Sequence, residues 1–211
     1  MGNLALLNKE YTKTDIYALT KMAYEQIAPL YSEKCSSINS VFPIARKFIV
    51  RLKQHSKILD VGCGSGRDLK FFSSLGYRAM GIDNSRNLVK IARSSCNCKV
   101  LEMDVLSINL REEKFDAIWA NAILHHITDE DIPNVLNEFH SLLRTKGKLF
   151  ISVRQNETST WDYTYPNAPR YYNQLNRAKL TRFLRESNFQ IDNYIENTGD
   201  SNWMIFFAHK K

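Results

Sequence analysis

Residues 58–68 read ILDVGCGSGRD. A short apolar run ends on Gly62, Gly64 and Gly66, which alternate with Cys63 and Ser65. Glycine weakens strands and helices alike, so a cluster of three needs a cause. A strand, a glycine turn and a helix in succession bring backbone N–H groups and a bare main chain against a ligand.

Dinucleotides are the first candidate ligand, with the fingerprint G-x-G-x-x-G. Counted from Gly62, its third glycine falls on Arg67; counted from Gly64, it falls on Leu69. The fingerprint is absent. The loop reads instead as D-x-G-x-G-x-G, opened by Asp60. Asp83 closes the next apolar run, in GID, and Asp104 the one after, in LEMDV. Each acid has separate work. Asp83 is placed to accept from both hydroxyls of a ribose diol. Asp104 is placed to accept from an adenine amino group, with the Val105 N–H donating to a ring nitrogen. Asp60 lies near a cationic amino acid moiety. So many acids repel a diphosphate and welcome a cationic nucleoside such as S-adenosylmethionine (SAM).

Working outward, helix and strand patterns alternate. Residues 14–34 read as a helix with Ile16, Leu19, Ala23, Ile27 and Leu30 as its apolar stripe and Pro29 as a kink or break. A second helix covers 42–54. Strands are expected at KILDV, YRAMGID, CKVLEMD, FDAIWAN and KLFISV, with helices between them, and RAKLTRFLRES is a further helix. An aromatic-rich loop runs to about residue 173, and FQIDNYIE and WMIFFAHK form a final strand pair joined by the turn NTGDSN. The expected fold is α/β: a doubly wound, Rossmann-like sheet of seven strands, mostly parallel, with the last strand antiparallel. One domain spans 1–211, with an N-terminal helical cap over 1–55 and the core over 56–211.

The chain has 211 residues, 44% of them hydrophobic, enough for one sizeable core. The first residues, MGNLAL, lack the pattern of a signal peptide, and Leu6 fails the myristoylation motif that Gly2 opens. No stretch reaches the length of a membrane span. A soluble, cytoplasmic protein without membrane partners is expected. Cys35, Cys63, Cys96 and Cys98 read as ordinary reduced cysteines, with no metal site. The small side chain of Cys63 suits the glycine loop. The net charge of +7 favours anionic partners. Much of the excess sits in 44–57 and 170–185, which read chiefly as solvated helix faces and otherwise as a surface for nucleic acid or an acidic substrate.

ILDVGCGSGRDLKFF, GIDNS, LEMDV, FDAIWANAILHH and GKLFISV, in that order and spacing, resemble the successive motifs of class I SAM-dependent methyltransferases. The likeness runs from about residue 20 to the end, and includes YxxIAxxY in the first helix. It implies that Gly62, Cys63, Gly64 and Gly66 approach the methionine part of SAM, with Asp60 nearby. It places Asp83 at the ribose, Asp104 and Val105 at the adenine, Asn84 flanking the adenine, and Asn121 beside the methionine part or the methyl. It also implies that the first helix closes over SAM, with Tyr24 or Tyr31 at its polar end. One departure is TKGK, where the family often has PGG.

Methyl transfer from SAM is an in-line displacement, so the protein chiefly aligns donor and acceptor. His126 and His125, just after the fourth strand, are the candidate bases. The loop with Trp161, Tyr163, Tyr165, Tyr171 and Tyr172 is long enough to be a substrate lid. Its aromatics suit a planar or small cationic substrate. Arg154 and Arg170 flank it as carboxylate or phosphate binders. The leading expectation is methylation of nitrogen or oxygen on a small molecule, anionic or aromatic. The alternatives are a tRNA wobble-uridine methyltransferase, with RNA as partner, and a non-catalytic SAM-binding partner subunit.

Overall fold

A computed structural model describes residues 11–39, 41–197 and 202–211. The MGNLAL stretch and most of the NTGDSN turn lie outside them. Helix α1, Lys13–Lys34, opens on a capping box: Thr12 accepts from the Asp15 N–H and Asp15 accepts from the Thr12 N–H. It runs unbroken through Pro29. Its buried face is Thr20, Ala23, Ile27 and Ala28. Leu30, expected in the apolar stripe, is 61% exposed, because beyond Pro29 the covered face passes to Tyr31.

Helix α2 is Phe42–Ile49, shorter than the expected 42–54. The chain tightens there through Arg51 N to Phe48 O and Leu52 N to Ile49 O, then reverses at His55 with a φ of 62°. Next come β1 (Lys57–Val61), α3 (Arg67–Ser74), β2 (Arg78–Asp83), α4 (Arg86–Ser95), β3 (Lys99–Glu102), β4 (Phe115–Asn121) and α5 (Ile132–Leu142). They are followed by β5 (Leu143–Arg154), β6 (Thr160–Asp162), β7 (Arg170–Tyr172), α6 (Arg177–Glu186), β8 (Phe189–Asn197) and β9 (Trp203–Lys210).

Seven strands form one sheet in the order β3-β2-β1-β4-β5-β9-β8. All pairs from β3 to β5 are parallel, and β9 runs antiparallel to both neighbours. The doubly wound sheet with a reversed last strand is therefore as expected. Two differences are local. β5 starts at Leu143 rather than at residue 148, because Leu143 pairs with Phe115 before a bulge restores the ladder at Lys148. Within that bulge the left-handed residue is Lys146, at φ 61°, while Gly147 serves close approach: a Cβ there would meet the Arg144 carbonyl at 2.8 Å. The aromatic loop is not structureless either. It carries the β6–β7 hairpin, whose Tyr171 N–H donates to Thr20 of α1.

Helices cover both sheet faces. On one, α5 and α6 pack over Ile118, Leu149, Ile151 and Phe206. On the other, α2 and α3 press Phe48 and Phe72 onto Trp119, which stacks on Phe150 at 3.6 Å between centroids. At the carboxyl ends of β2 and β4, α1 and the hairpin form a roof: Glu25 of α1 holds the start of α4, Tyr24 meets His126, and Thr20 meets Tyr171 of the hairpin. No helix among the described residues is long and apolar enough to cross a membrane.

Candidate functional site

The glycine loop leaves β1 bound to its neighbour. Gly62 N and Cys63 N both donate to Ile82 O, and Gly64 N donates to Asp83 Oδ2 at 2.8 Å. Gly62, Gly64 and Gly66 take φ values of 69°, 54° and 86°, a left-handed region that glycine enters at no steric cost. Cys63 packs with Leu69, Val89 and Ala92 and also lines the cavity that the loop opens onto. Its thiol lies so close to Gly81 that a Cβ there would meet it at 2.8 Å, which explains the small residue.

Asp83 does more than the sequence reading gave it. Its second oxygen accepts the Ser85 N–H at 2.9 Å, so it braces the glycine loop and the start of α4 together. Each oxygen retains a further lone pair for a diol. Burial pushes its carboxyl up to about 6, against the opposing pull of the two N–H groups. Next along the sheet end, Asp104 accepts from Leu106 N and from the Asn84 amide, so Asn84 and Asp104 form one polar pair. Val105 is buried in the main core behind them.

Beneath the loop lies a second acid floor. Asp60 is 2% exposed and its Oδ2 has no partner. Burial, then the charge of Asp68, pushes its carboxyl well above the usual range. Asp68, in the first turn of α3, accepts from Trp119 Nε1 at 2.8 Å, Asn121 Nδ2 at 2.9 Å and Arg67 Nε at 2.6 Å. Asn121 in turn accepts from Ser152 Oγ. Asp68 and Ser152 were not found from sequence. An acid in a helix's first turn looks like an ordinary dipole partner until its burial is seen. Gly62, Gly64, Arg67, Asp68 and Asn121 open onto a cavity of about 480 Å³ whose far wall includes Trp203.

The predicted bases sit under the roof. His126 Nδ1 meets the Tyr171 carbonyl at 2.6 Å, which can only accept. The hydrogen therefore belongs on Nδ1, and Nε2 accepts from the Tyr24 hydroxyl at 2.9 Å. Burial pulls His126 down to about 4 and His125 well below its ordinary value. His125 Nδ1 accepts the Arg154 N–H at 3.3 Å, and its ring packs against Tyr172 and Trp203. Neither imidazole lines the 480 Å³ cavity.

Arg170 corrects an expectation. It is 7% exposed rather than solvated, and is ion-paired with Asp162. It also donates to the Tyr24 oxygen at 3.4 Å and lies among the rings of Tyr24, Tyr165 and Tyr172. The hairpin points it inward, where its charge is spent on the roof instead of on a phosphate. The four cysteines are free thiols, and no group of three His, Cys, Asp or Glu side chains among the described residues is placed to hold a metal.

SAM fits this site on three counts: a bare main chain, a diol-ready Asp83, and a buried Asp60 oxygen without a partner beneath the loop. Comparison with known proteins agrees. A family model described as "Methyltransferase domain" matches residues 58–147. The "Probable tRNA methyltransferase 9B" of Bos taurus is 35% identical over 131 residues, 62% of this chain and 28% of that one. The tRNA (carboxymethyluridine(34)-5-O)-methyltransferase of Arabidopsis thaliana is 32% identical over 152 residues, 70% of this chain and 36% of that one. This chain thus spans about a third of the length of these curated relatives. In fold, it is similar to Burkholderia thailandensis 1,6-didemethyltoxoflavin-N1-methyltransferase, solved with 1,6-didemethyltoxoflavin and S-adenosylhomocysteine. The TM-score is 0.78 at 19% identity, covering 96% of this chain and 92% of that one.

Proposed function

We propose that the chain acts as a class I SAM-dependent methyltransferase, transferring the methyl group of SAM to an oxygen of an anionic acceptor. The observation that carries the SAM part of this reading is the unpartnered Asp60 oxygen under a glycine loop braced by Asp83; the oxygen acceptor rests on the name of a relative. SAM supplies an activated methyl group that needs no metal. The chain's own residues hold and orient. Asp83 takes the ribose hydroxyls, Asp104 with Val105 and Asn84 takes the adenine, and the loop from Gly62 to Gly66 lies along the methionine part with Asn121 beside it. Tyr24 and its helix exclude water.

His126 is neutral and already accepts the Tyr24 proton, so it reaches an acceptor only through Tyr24. A carboxylate acceptor is ionised before attack and asks for no base. His125 supports the hairpin and the turn after β4.

Two acceptor classes remain from the sequence reading, and a small molecule was the first of them. The names of the relatives that are 32–35% identical now favour the second, a tRNA nucleoside bearing a carboxylate, and the net charge of +7 suits it. The test is transfer of labelled methyl from SAM to bulk tRNA and, separately, to a cell metabolite fraction. Label in tRNA that falls steeply with added salt supports the RNA acceptor; label only in the metabolite fraction restores the small molecule. SAM binding with label in neither supports the third reading, a partner subunit without turnover.

A further inference from the structure

We infer that Arg67 is the anchor for the carboxylate of the cofactor's amino acid end, and that Asp68 is the residue that positions it. The inference rests on the SAM reading above and adds the group that recognises one end of that molecule.

A zwitterionic α-amino acid needs an acceptor for its ammonium and a donor for its carboxylate. The acid floor supplies the first through Asp60. Arg67 supplies the second. Its guanidinium is the cationic group among the residues that line the cavity beside Gly62 and Gly64. It is 19% exposed, so it is largely removed from bulk water. Five N–H donors leave a guanidinium in a fixed fork. Asp68 takes Nε at 2.6 Å and one hydrogen of Nη2 at 3.1 Å. No protein acceptor meets Nη1 among the described residues. The fork is thus held by one edge and open on the other.

The hold is rigid because Asp68 is itself fixed. It is 5% exposed and bound to Trp119 and Asn121 of β4, while Trp119 is wholly buried against Phe150. Tyr31, at the end of α1, lines the same cavity and closes the space over Gly64, with Cys35 beyond it. A long side chain in the open would lose much rotamer freedom on binding an anion. Arg67 has lost it already. Asp68 also tempers the positive charge, so the site accepts one carboxylate and not a diphosphate, in keeping with the failed dinucleotide fingerprint.

The experiment is calorimetric titration of the full chain with S-adenosylhomocysteine and with its decarboxylated analogue, which lacks only the carboxylate. The wild type should bind the first about 10- to 100-fold more tightly, the usual range for a hydrogen bond to a charged group. Arg67→Met should bind the two alike, with the analogue at its wild-type affinity, which also reports that the variant is folded. Asp68→Asn should show reduced discrimination, since Arg67 remains but is no longer held. Undiminished discrimination in Arg67→Met, or none in the wild type, overturns the inference while leaving the SAM reading intact. If Arg67→Met binds neither compound, Arg67→Lys decides: reduced discrimination supports the assignment and wild-type discrimination overturns it. A wild type that binds neither compound overturns the SAM reading itself.

Discussion

Asn87 donates its side-chain amide to the Glu25 carbonyl at 3.0 Å, and that carbonyl is the one Pro29 leaves without its helical partner. The proline does not break α1; it frees an acceptor that α4 then uses. The Glu25 carboxylate completes the clasp by accepting the Arg86 and Asn87 N–H groups in the first turn of α4. On the other flank, Tyr17 donates to Asp131 at 2.7 Å beside α5. Helix α1 therefore spans the cleft, pinned at both sides.

Asn87→Ala is expected to cost about 1 kcal/mol of stability, the net value of one such bond with its acceptor left unpaired. The loss should be local. Amide exchange in α1 should quicken while exchange in β1 and β4 stays slow. Equal quickening in all three would show that the clasp is not a separate latch.

Gly64→Ala separates folding from binding. The added Cβ would meet nothing closer than Tyr31 Cε1 at 3.6 Å, so the cost to folding is the left-handed backbone, about 1–2 kcal/mol. The methyl group would, however, stand on the loop's open side. S-adenosylhomocysteine affinity should fall by more than about tenfold, well beyond the stability change. Unaltered affinity by calorimetry would remove this loop from the binding surface.

Much of this was readable in advance. β4 has the expected limits because a strand buried on both faces leaves a continuous apolar run. The glycine loop was legible because so few roles require such residues. Asp68 and Arg170 were not legible in their roles: their burial depends on Trp119 and on the β6–β7 hairpin, partners 51 and 8 residues away along the chain. The start of β5 was missed for a like reason, since its bulge is set by pairing with Phe115 and not by Gly147 alone.

Asp83 predicts a pH dependence with a definite sign. Its folded value, about 6, exceeds its ordinary 3.8, so the ligand-free protein holds this proton more tightly than the unfolded chain does. Its contribution to stability is fully present below the ordinary value and is lost as pH rises through about 6. Ribose hydroxyls prefer the ionised form, so binding should run the other way. Affinity for S-adenosylhomocysteine should fall below pH 6, by up to about tenfold per unit, with proton release on binding near that pH. Calorimetry in two buffers of different ionisation enthalpy measures both. A flat affinity from pH 5 to 7 would contradict this place for the diol.

His126 offers the sharpest test of the proton chemistry. Its Nδ1 hydrogen is committed to the Tyr171 carbonyl and its Nε2 lone pair to Tyr24, and burial holds it down to about 4. The ring is therefore neutral throughout the physiological range, and imidazole resonances followed by NMR should show no titration of His126 above pH 5. Tyr24→Phe removes the donor and leaves Nε2 unpaired in a buried place, at a cost of about 1–3 kcal/mol. If the acceptor is a carboxylate, that variant should keep its pH–rate profile between 6 and 8, with its loss appearing in affinity for SAM. A profile that instead gains or loses an inflection in that range would mean that the Tyr24–His126 pair moves a proton during transfer, and would turn the acceptor assignment toward a nitrogen or hydroxyl that must be deprotonated.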